Sequence, residues 1–335
     1  MKVFFTTSTP TYDSSKGRSF PAIMRHRHER CPLDTHQVID DPEQADLIIF
    51  WEDDQSEETH NTKLRRHALV ARHREKCFMY SASDHPIPWL PGVFTSLPWS
   101  EYDPWRCRSG CYVLVHNELV AEHAGQSPLA PPKLLMSFRG AIDDNPFRQQ
   151  LVAHDFKRDD VHIESAELWR FNQTILSDKT VTDGQLSYIK LIQDSRFVLC
   201  PRGLGTSTIR LFEVMCLGRV PVILADDWVP PQGPTWSDFS IRVAQAKFRQ
   251  LPEILARYEN RHVEMGLCAR EAYLRWYAPE MQAHRIIEDC VELSLMRTRS
   301  EEQAHHEMAG LERRIAARFA IRRVKGSLRS LITPW

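Results

Sequence analysis

Short apolar runs of strand length alternate with longer charged stretches of helical period through the first third of the chain. The apolar runs are "KVFFTT" at 2–7, "ADLIIFWED" at 45–53 and "CFMYSAS" at 77–83, and the helical stretches cover 17–31 and 58–75. Strands alternating with helices predict a parallel sheet with helices on its faces. In such sheets ligands gather at the loops that follow the strand C-termini. Those loops are polar here, at 6–12, 51–56 and 81–89, and the last carries the pair Asp84 and His85.

The rhythm breaks at 86–111, where Pro86, Pro88, Pro91, Pro98 and Pro104 interleave with Trp89, Trp99, Tyr102 and Trp105. Irregular structure is predicted there. Its rings serve either as a loop cluster packed on the domain or as a platform for the C–H face of a sugar, packing being the commoner role of any one tryptophan. A second proline-rich stretch, "GQSPLAPPK" at 125–133, reads as a linker. Beyond it the pattern restarts: "KLLMSFRG" predicts a strand, a helix begins near Asn145, "SRFVLCPRG" predicts a strand, "TSTIRLFEVMCLG" a helix and "RVPVILADD" another strand. Gly218 is placed to end that helix in the left-handed conformation. Helical patterns fill the rest from about 251. The division expected is one domain over 1–128, a second over 129–300, and a helical tail over 301–335.

Composition and charge narrow the function classes. At 335 residues, 42% hydrophobic and 26% charged, the chain has apolar material for two cores. A formal net charge of −1 gives no global pull toward nucleic acid. The eight cysteines are scattered, several inside apolar runs, and read as reduced core thiols. Cys107 and Cys111 form a C-x3-C pair, but no second pair stands near them to complete a zinc site. No run of about 18 apolar residues occurs, so a soluble, cytoplasmic protein is expected. Residues 311–335 carry six arginines and one lysine against one glutamate. This basic segment either packs back on the first domain or touches anionic lipid at the inner face of the membrane.

The stretch "CPRGLGTSTIRLFEVM" at 200–215 holds the most specific chemistry. A strand that ends in a glycine-rich turn and feeds a helix points unpaired backbone N–H groups outward, and glycines let an anion approach them. With a helix starting near Gly205, Thr206, Arg210 and Glu213 share one face. A hydroxyl, a guanidinium and a carboxylate then run in order from the phosphate end, the carboxylate suiting the paired hydroxyls of a ribose. The P-loop pattern is missing, since the stretch has no lysine. "GLGTST" departs from G-x-G-x-x-G at its last position, yet Asp226 and Asp227 close the next strand about 20 residues on, so an NAD-dependent oxidoreductase stands as the rival. A third reading is a carbohydrate-binding relative without catalysis.

Over 197–243 three blocks, "LCPRG-G-S--RL-E", "G-VPVIL-DDW-P" and "WS-FS--V", occur in order and closely spaced, and "LLMSFRGAIDDNPFRQQL" at 134–151 precedes them. Together they resemble the exostosin family, glycosyltransferase family 47. The resemblance implies an α/β fold of GT-B type, two Rossmann-like domains facing across a cleft, and an inverting transferase using a nucleotide sugar, with uridine as the base. It assigns donor binding to Arg139, Arg202, Gly203, Gly205, Thr206, Ser207, Arg210 and Glu213. The acceptor is expected to be a glycan or lipid-linked glycan, in surface polysaccharide synthesis. With no membrane anchor in the chain, a bacterial or viral relative is expected. "ADDW" and "EDDQ" lack the D-x-D metal pattern, so no obligatory metal and no cofactor is expected, the arginines and helix N-terminus offsetting the diphosphate charge. For the base that takes the acceptor proton, the loop candidates are Glu52, Asp53, Asp84 and His85, with Asp84 preferred and His85 second.

Overall fold

The computed structural model of the chain describes residues 1–8, 19–33, 35–52, 63–113, 117–124, 131–142, 145–166, 183–297, 300, 301 and 303. Its first sheet is built from β1 (Lys2–Thr6), β2 (Gln37–Val38), β3 (Leu47–Glu52), β4 (Cys77–Ser81), β5 (Gly92–Phe94) and β6 (Cys107–Ser109). They lie in the order β2-β1-β3-β4-β5-β6, every pair parallel. Because β3 and β4 are buried along their whole length, "LIIFWE" and "CFMYS" show no alternation. The second sheet comprises β7 (Leu134–Gly140), β8 (Val161–Ser165), β9 (Ser195–Pro201), β10 (Val220–Leu224) and β11 (Ile241–Arg242). Its order is β11-β10-β9-β7-β8, again all parallel. The strand order reverses between β1 and β3 in one sheet and between β7 and β9 in the other.

Among the described residues the α-helices are α1 (Phe20–Glu29), α2 (Ala68–His73), α3 (Glu118–Ala124), α4 (Pro146–Ala153), α5 (Asp183–Gln193), α6 (Ile209–Cys216), α7 (Leu251–Ala256), α8 (His262–Trp276) and α9 (Pro279–Leu295). Local sequence sets their ends. Ser19 caps α1, its hydroxyl accepting from Ala22 N at 3.4 Å with proline in the first turn, and Phe20 and Met24, one turn apart, are buried. Asn145 caps α4 by accepting from the N–H groups of Phe147 and Arg148, both at 3.1 Å. Gly218 ends α6 with φ of 67°, as the sequence predicts.

The two halves meet through the loops at their strand carboxyl edges. Val229 N donates to Leu97 O at 3.3 Å and Trp99 N to Asp227 O at 3.0 Å, around an antiparallel bridge between Pro98 and Trp228. One apolar cluster runs from Phe5, Met24 and Tyr80 of the first half to Phe212, Trp228 and Tyr277 of the second. Two parallel sheets flanked by helices, with carboxyl edges opposed, make a GT-B-like pair of Rossmann-like halves.

The chain returns to the first half at α9, which packs on α1 and β5. Arg27 Nη1 donates to Gln282 Oε1 at 2.6 Å, Arg108 Nε to Glu292 at 3.2 Å, and Arg106 Nη1 to both oxygens of Glu301 at 2.9 and 3.1 Å. That crossing begins before the tail boundary expected at 301. A second difference concerns α6. The helix starts at Ile209 and not near Gly205, because Thr208 takes the extended cap conformation, with φ of −149° and ψ of 136°. Thr206 therefore sits in the loop and does not share a helix face with Arg210 and Glu213. Asp53, Asp143, Asp144, linker residues 125–130 and the basic segment 311–335 lie outside the described residues.

Candidate active site

The loop between β9 and α6 sits at the reversal point of the second sheet, where such folds place ligands. It is held by its own groups. Arg202 Nε and Nη2 donate to Gly205 O (3.2 Å) and Leu204 O (3.0 Å), and Gly203 N donates to Ser207 O (3.2 Å). The first half closes over it: a Cβ on Gly205 would stand 2.3 Å from Ser96 Oγ and 2.7 Å from Asp84 O. Only glycine allows that approach.

In the loop and in the first turn of α6, polar atoms stand without partners. Thr206 Oγ1, Ser207 Oγ and the Nε and Nη1 of Arg210 are buried with no hydrogen bond among the described residues. Buried polar groups in folded proteins are nearly always satisfied, so a cluster of four marks a place for a ligand that accepts hydrogen bonds. Arg210 Nη2 donates to the Arg139 carbonyl, and its guanidinium lies 4.7 Å from the Phe138 ring centroid. Gly140 makes room for it, since a Cβ there would meet Arg210 Nη2 at 2.6 Å.

Arg148 is a second buried guanidinium beside the first. Its Nε, Nη1 and Nη2 donate to the carbonyls of Arg202 (2.9 Å), Ala141 (3.1 Å) and Pro201 (3.1 Å). Burial, reinforced by the charge of Arg210, lowers it to about 9. Among the described residues neither Arg148 nor Arg210 has a carboxylate partner. Two uncompensated buried cations are costly, and an anion between them relieves that cost.

The other assigned residues divide. Arg139 is turned to the neighbouring strand, pairing with Glu164 of β8 and donating to Ser187 Oγ at 2.7 Å, so its carbonyl and not its side chain meets Arg210. Glu213 is half-buried and accepts from Asn117 Nδ2 (3.2 Å) and Tyr188 OH (2.6 Å). Burial, with the Glu213 charge next, pushes the Tyr188 hydroxyl well up, so it stays a donor. Glu213 also lines a narrow cleft between the halves, with Tyr112, Asn117, Phe212, Tyr273 and Tyr277.

Across the loop, Asp84 Oδ1 accepts from Tyr112 OH at 2.7 Å, and the Ser96 hydroxyl lies 2.8 Å from the Tyr112 hydroxyl oxygen. Burial and then the Asp84 charge raise Tyr112, keeping its proton in place. His85 donates its backbone N–H to Ser83 Oγ at 3.1 Å. Glu52 accepts from Thr7 Oγ1 (3.3 Å) and Ser8 N (2.7 Å), which ties together the loops after β1 and β3. Asp226, needed by the NAD reading, caps the turn at Gln245 N at 3.0 Å. Of the tryptophans, Trp89 is packed at 6% exposure under Arg65, while Trp99 and Trp105 are 50% and 53% exposed. Cys107 and Cys111 are both buried thiols, pushed up to about 12 by burial.

Sequence reasoning missed Arg148, Gly140, Ser96, Tyr112, Asn117 and Tyr188. Only Arg148 and Gly140 carried a signal, both lying in the stretch that led to Arg139.

Residues 95–258 match the Exostosin GT47 domain. An Exostosin-1 homolog of Caenorhabditis elegans is 36% identical over 94 residues, 26% of this chain and 25% of that protein. A probable glycosyltransferase of Arabidopsis thaliana is 27% identical over 167 residues, 49% of this chain and 27% of its own length. A probable glucuronosyltransferase of Oryza sativa subsp. japonica is 31% identical over 135 residues, 39% and 30%. The chain thus spans between a quarter and a third of the length of these relatives. They overturn the bacterial or viral origin expected from the missing anchor, coming instead from a nematode and plants. An anchor lies outside a catalytic fold and so carries no information on ancestry. Similar solved structures share 8–13% identity at TM-scores of 0.35–0.43, so the fold assignment rests on the two sheets themselves. Among the described residues no helix is long and apolar enough to cross a membrane. The stretch that carries the β9–α6 loop and its buried arginines is similar to the Exostosin GT47 domain.

Proposed function

We propose that this chain transfers a sugar from a nucleotide diphosphate sugar, with uridine as the base, to a hydroxyl of a glycan acceptor, inverting the anomeric carbon and using no obligatory metal. The observation that carries the reading is the set of partnerless buried donors at Thr206, Ser207 and Arg210, beside the uncompensated cation of Arg148. The diphosphate lies on the 203–207 loop, with Arg210 and the α6 N-terminus taking up the charge that develops on the leaving group. Glu213 accepts the ribose hydroxyls, held for that by Asn117 and Tyr188. We read 1–128 as the acceptor side and 129–300 as the donor side.

Asp84 acts as the base. It stands at the loop where Gly205 touches the first half, and Tyr112 holds one of its carboxylate oxygens by a hydrogen bond. The acceptor oxygen attacks the anomeric carbon opposite the diphosphate, its proton passes to Asp84, and the C–O bond to the diphosphate breaks. The glucuronosyltransferase name of the rice relative makes a uronic acid donor the first to try.

Thermal midpoints measured with UDP, GDP, CMP, dTDP and NAD, each with and without chelator, test the donor site. A ligand at 100 times its dissociation constant adds about 2.7 kcal/mol. UDP is expected to stabilise the protein equally with chelator; stabilisation by NAD alone would sink the transferase reading. For the base, Asp84→Asn is expected to lower turnover at least a hundredfold while UDP binding is unchanged.

A further inference from the structure

At the edge of the first sheet remote from the cleft, three groups that sugar transfer does not use come together. His36 precedes β2, and α9 carries His284 and Glu288 one turn apart. Glu288 Oε1 lies 2.6 Å from His36 Nε2 and 4.0 Å from His284 Nε2. One ligand atom from each residue falls within 4.8 Å of the others. Both histidines are buried, at 9% and 3% exposure, while the Glu288 side chain reaches solvent. His36 Nδ1 is buried without a partner among the described residues. His284 Nδ1 lies 3.4 Å from the Thr35 hydroxyl.

We propose that His36, His284 and Glu288 form a binding site for a divalent zinc-type ion. Two imidazoles and a carboxylate are the donor set zinc takes in three-ligand protein sites, whereas magnesium and calcium prefer oxygen alone. A proton on His284 Nδ1, shared with Thr35, leaves the Nε2 lone pair toward Glu288, which is how a hydrogen bond on one ring nitrogen prepares the other for a metal. Ligand atoms around a tetrahedral ion at about 2.0–2.2 Å stand about 3.3 Å apart. Rotation of the exposed Glu288 carboxylate brings the 2.6 Å and 4.0 Å separations toward that value. An open depression lined by Thr35, His36, Gln44 and Asp46 among others gives entry to the ion and water for a fourth position.

The ion would be structural. All strands of the first sheet run parallel, so His36, at the amino end of β2, lies opposite the carboxyl edge where Asp84 stands. Glu288 and His36 are 252 positions apart, and an ion between them ties α9 to the first half. The site is independent of the proposed transfer.

The full chain, stripped of metal, is titrated with zinc and in parallel with magnesium, followed by calorimetry and thermal midpoint. One equivalent of zinc should bind and raise the midpoint, magnesium should do neither, and cobalt(II) should give the visible bands of a tetrahedral site. Glu288→Gln, at a solvent-reaching position, and His284→Gln should each weaken zinc binding at least tenfold, with circular dichroism confirming that both fold. A wild-type chain that takes up no stoichiometric zinc overturns the proposal, as do variants that bind zinc as tightly as wild type.

Discussion

Arg148 shows how one side chain can shape a site it was not assigned to. Its fork holds three carbonyls, one at the end of β9 and one in each of the turns after β7 and β9, and so fixes the start of the loop. Arg148→Met removes a desolvated charge and three hydrogen bonds together, two effects that offset in stability. UDP affinity is therefore the telling readout, and a loss of at least tenfold, about 1.4 kcal/mol, is expected by calorimetry. Arg148→Lys should not restore it, since one ammonium cannot span three carbonyls. For Glu213→Ala the expectation is a similar loss for UDP with unchanged affinity for inorganic pyrophosphate, which lacks the ribose. Gly205→Ala tests the closure: a Cβ 2.3 Å from Ser96 Oγ props the halves apart, so kcat should fall more than KM rises.

At the scale of elements, α6 and α8 meet glycine to glycine. Gly218 ends α6 with positive φ, and a Cβ on Gly266 in α8 would stand 2.3 Å from the Gly218 carbonyl oxygen. Gly266→Ala forces the helices apart; a cost of about 1–3 kcal/mol and a thermal midpoint lower by several degrees are expected. The end of α6 was legible in the sequence because it depends on one residue's backbone freedom. Its start was not: the run Thr206, Ser207 and Thr208 offers three residues that favour caps, and packing of Gly205 under Ser96 and Asp84 decides among them.

For the whole molecule, the apolar cluster that links both halves and the return of α9 onto α1 and β5 bind the fold into one cooperative unit. Calorimetry of the full chain should show a single transition with equal calorimetric and van't Hoff enthalpies, although two sheets are present. Residues 1–128 expressed alone should fail to give a native near-ultraviolet spectrum, because Phe20, Met24 and Tyr80 belong to the cluster that α9 completes.

What the sequence determined by itself is what repeats or signals within a few residues. The buried runs of β3, β4, β9 and β10, the glycine-rich turn after β9 and the end of α6 at Gly218 belong here, since local period and backbone freedom fix each of them. Tertiary structure alone decided the rest: the meeting of Asp84 and Ser96 with Gly205, of Asn117 with Glu213, of Arg148 with the Pro201 and Arg202 carbonyls, and of His36 with His284 and Glu288. Those partners lie from about fifty to about 250 positions apart. No periodicity spans such distances, so packing of the sheets and the return of the last helix set the contacts that give these residues their roles.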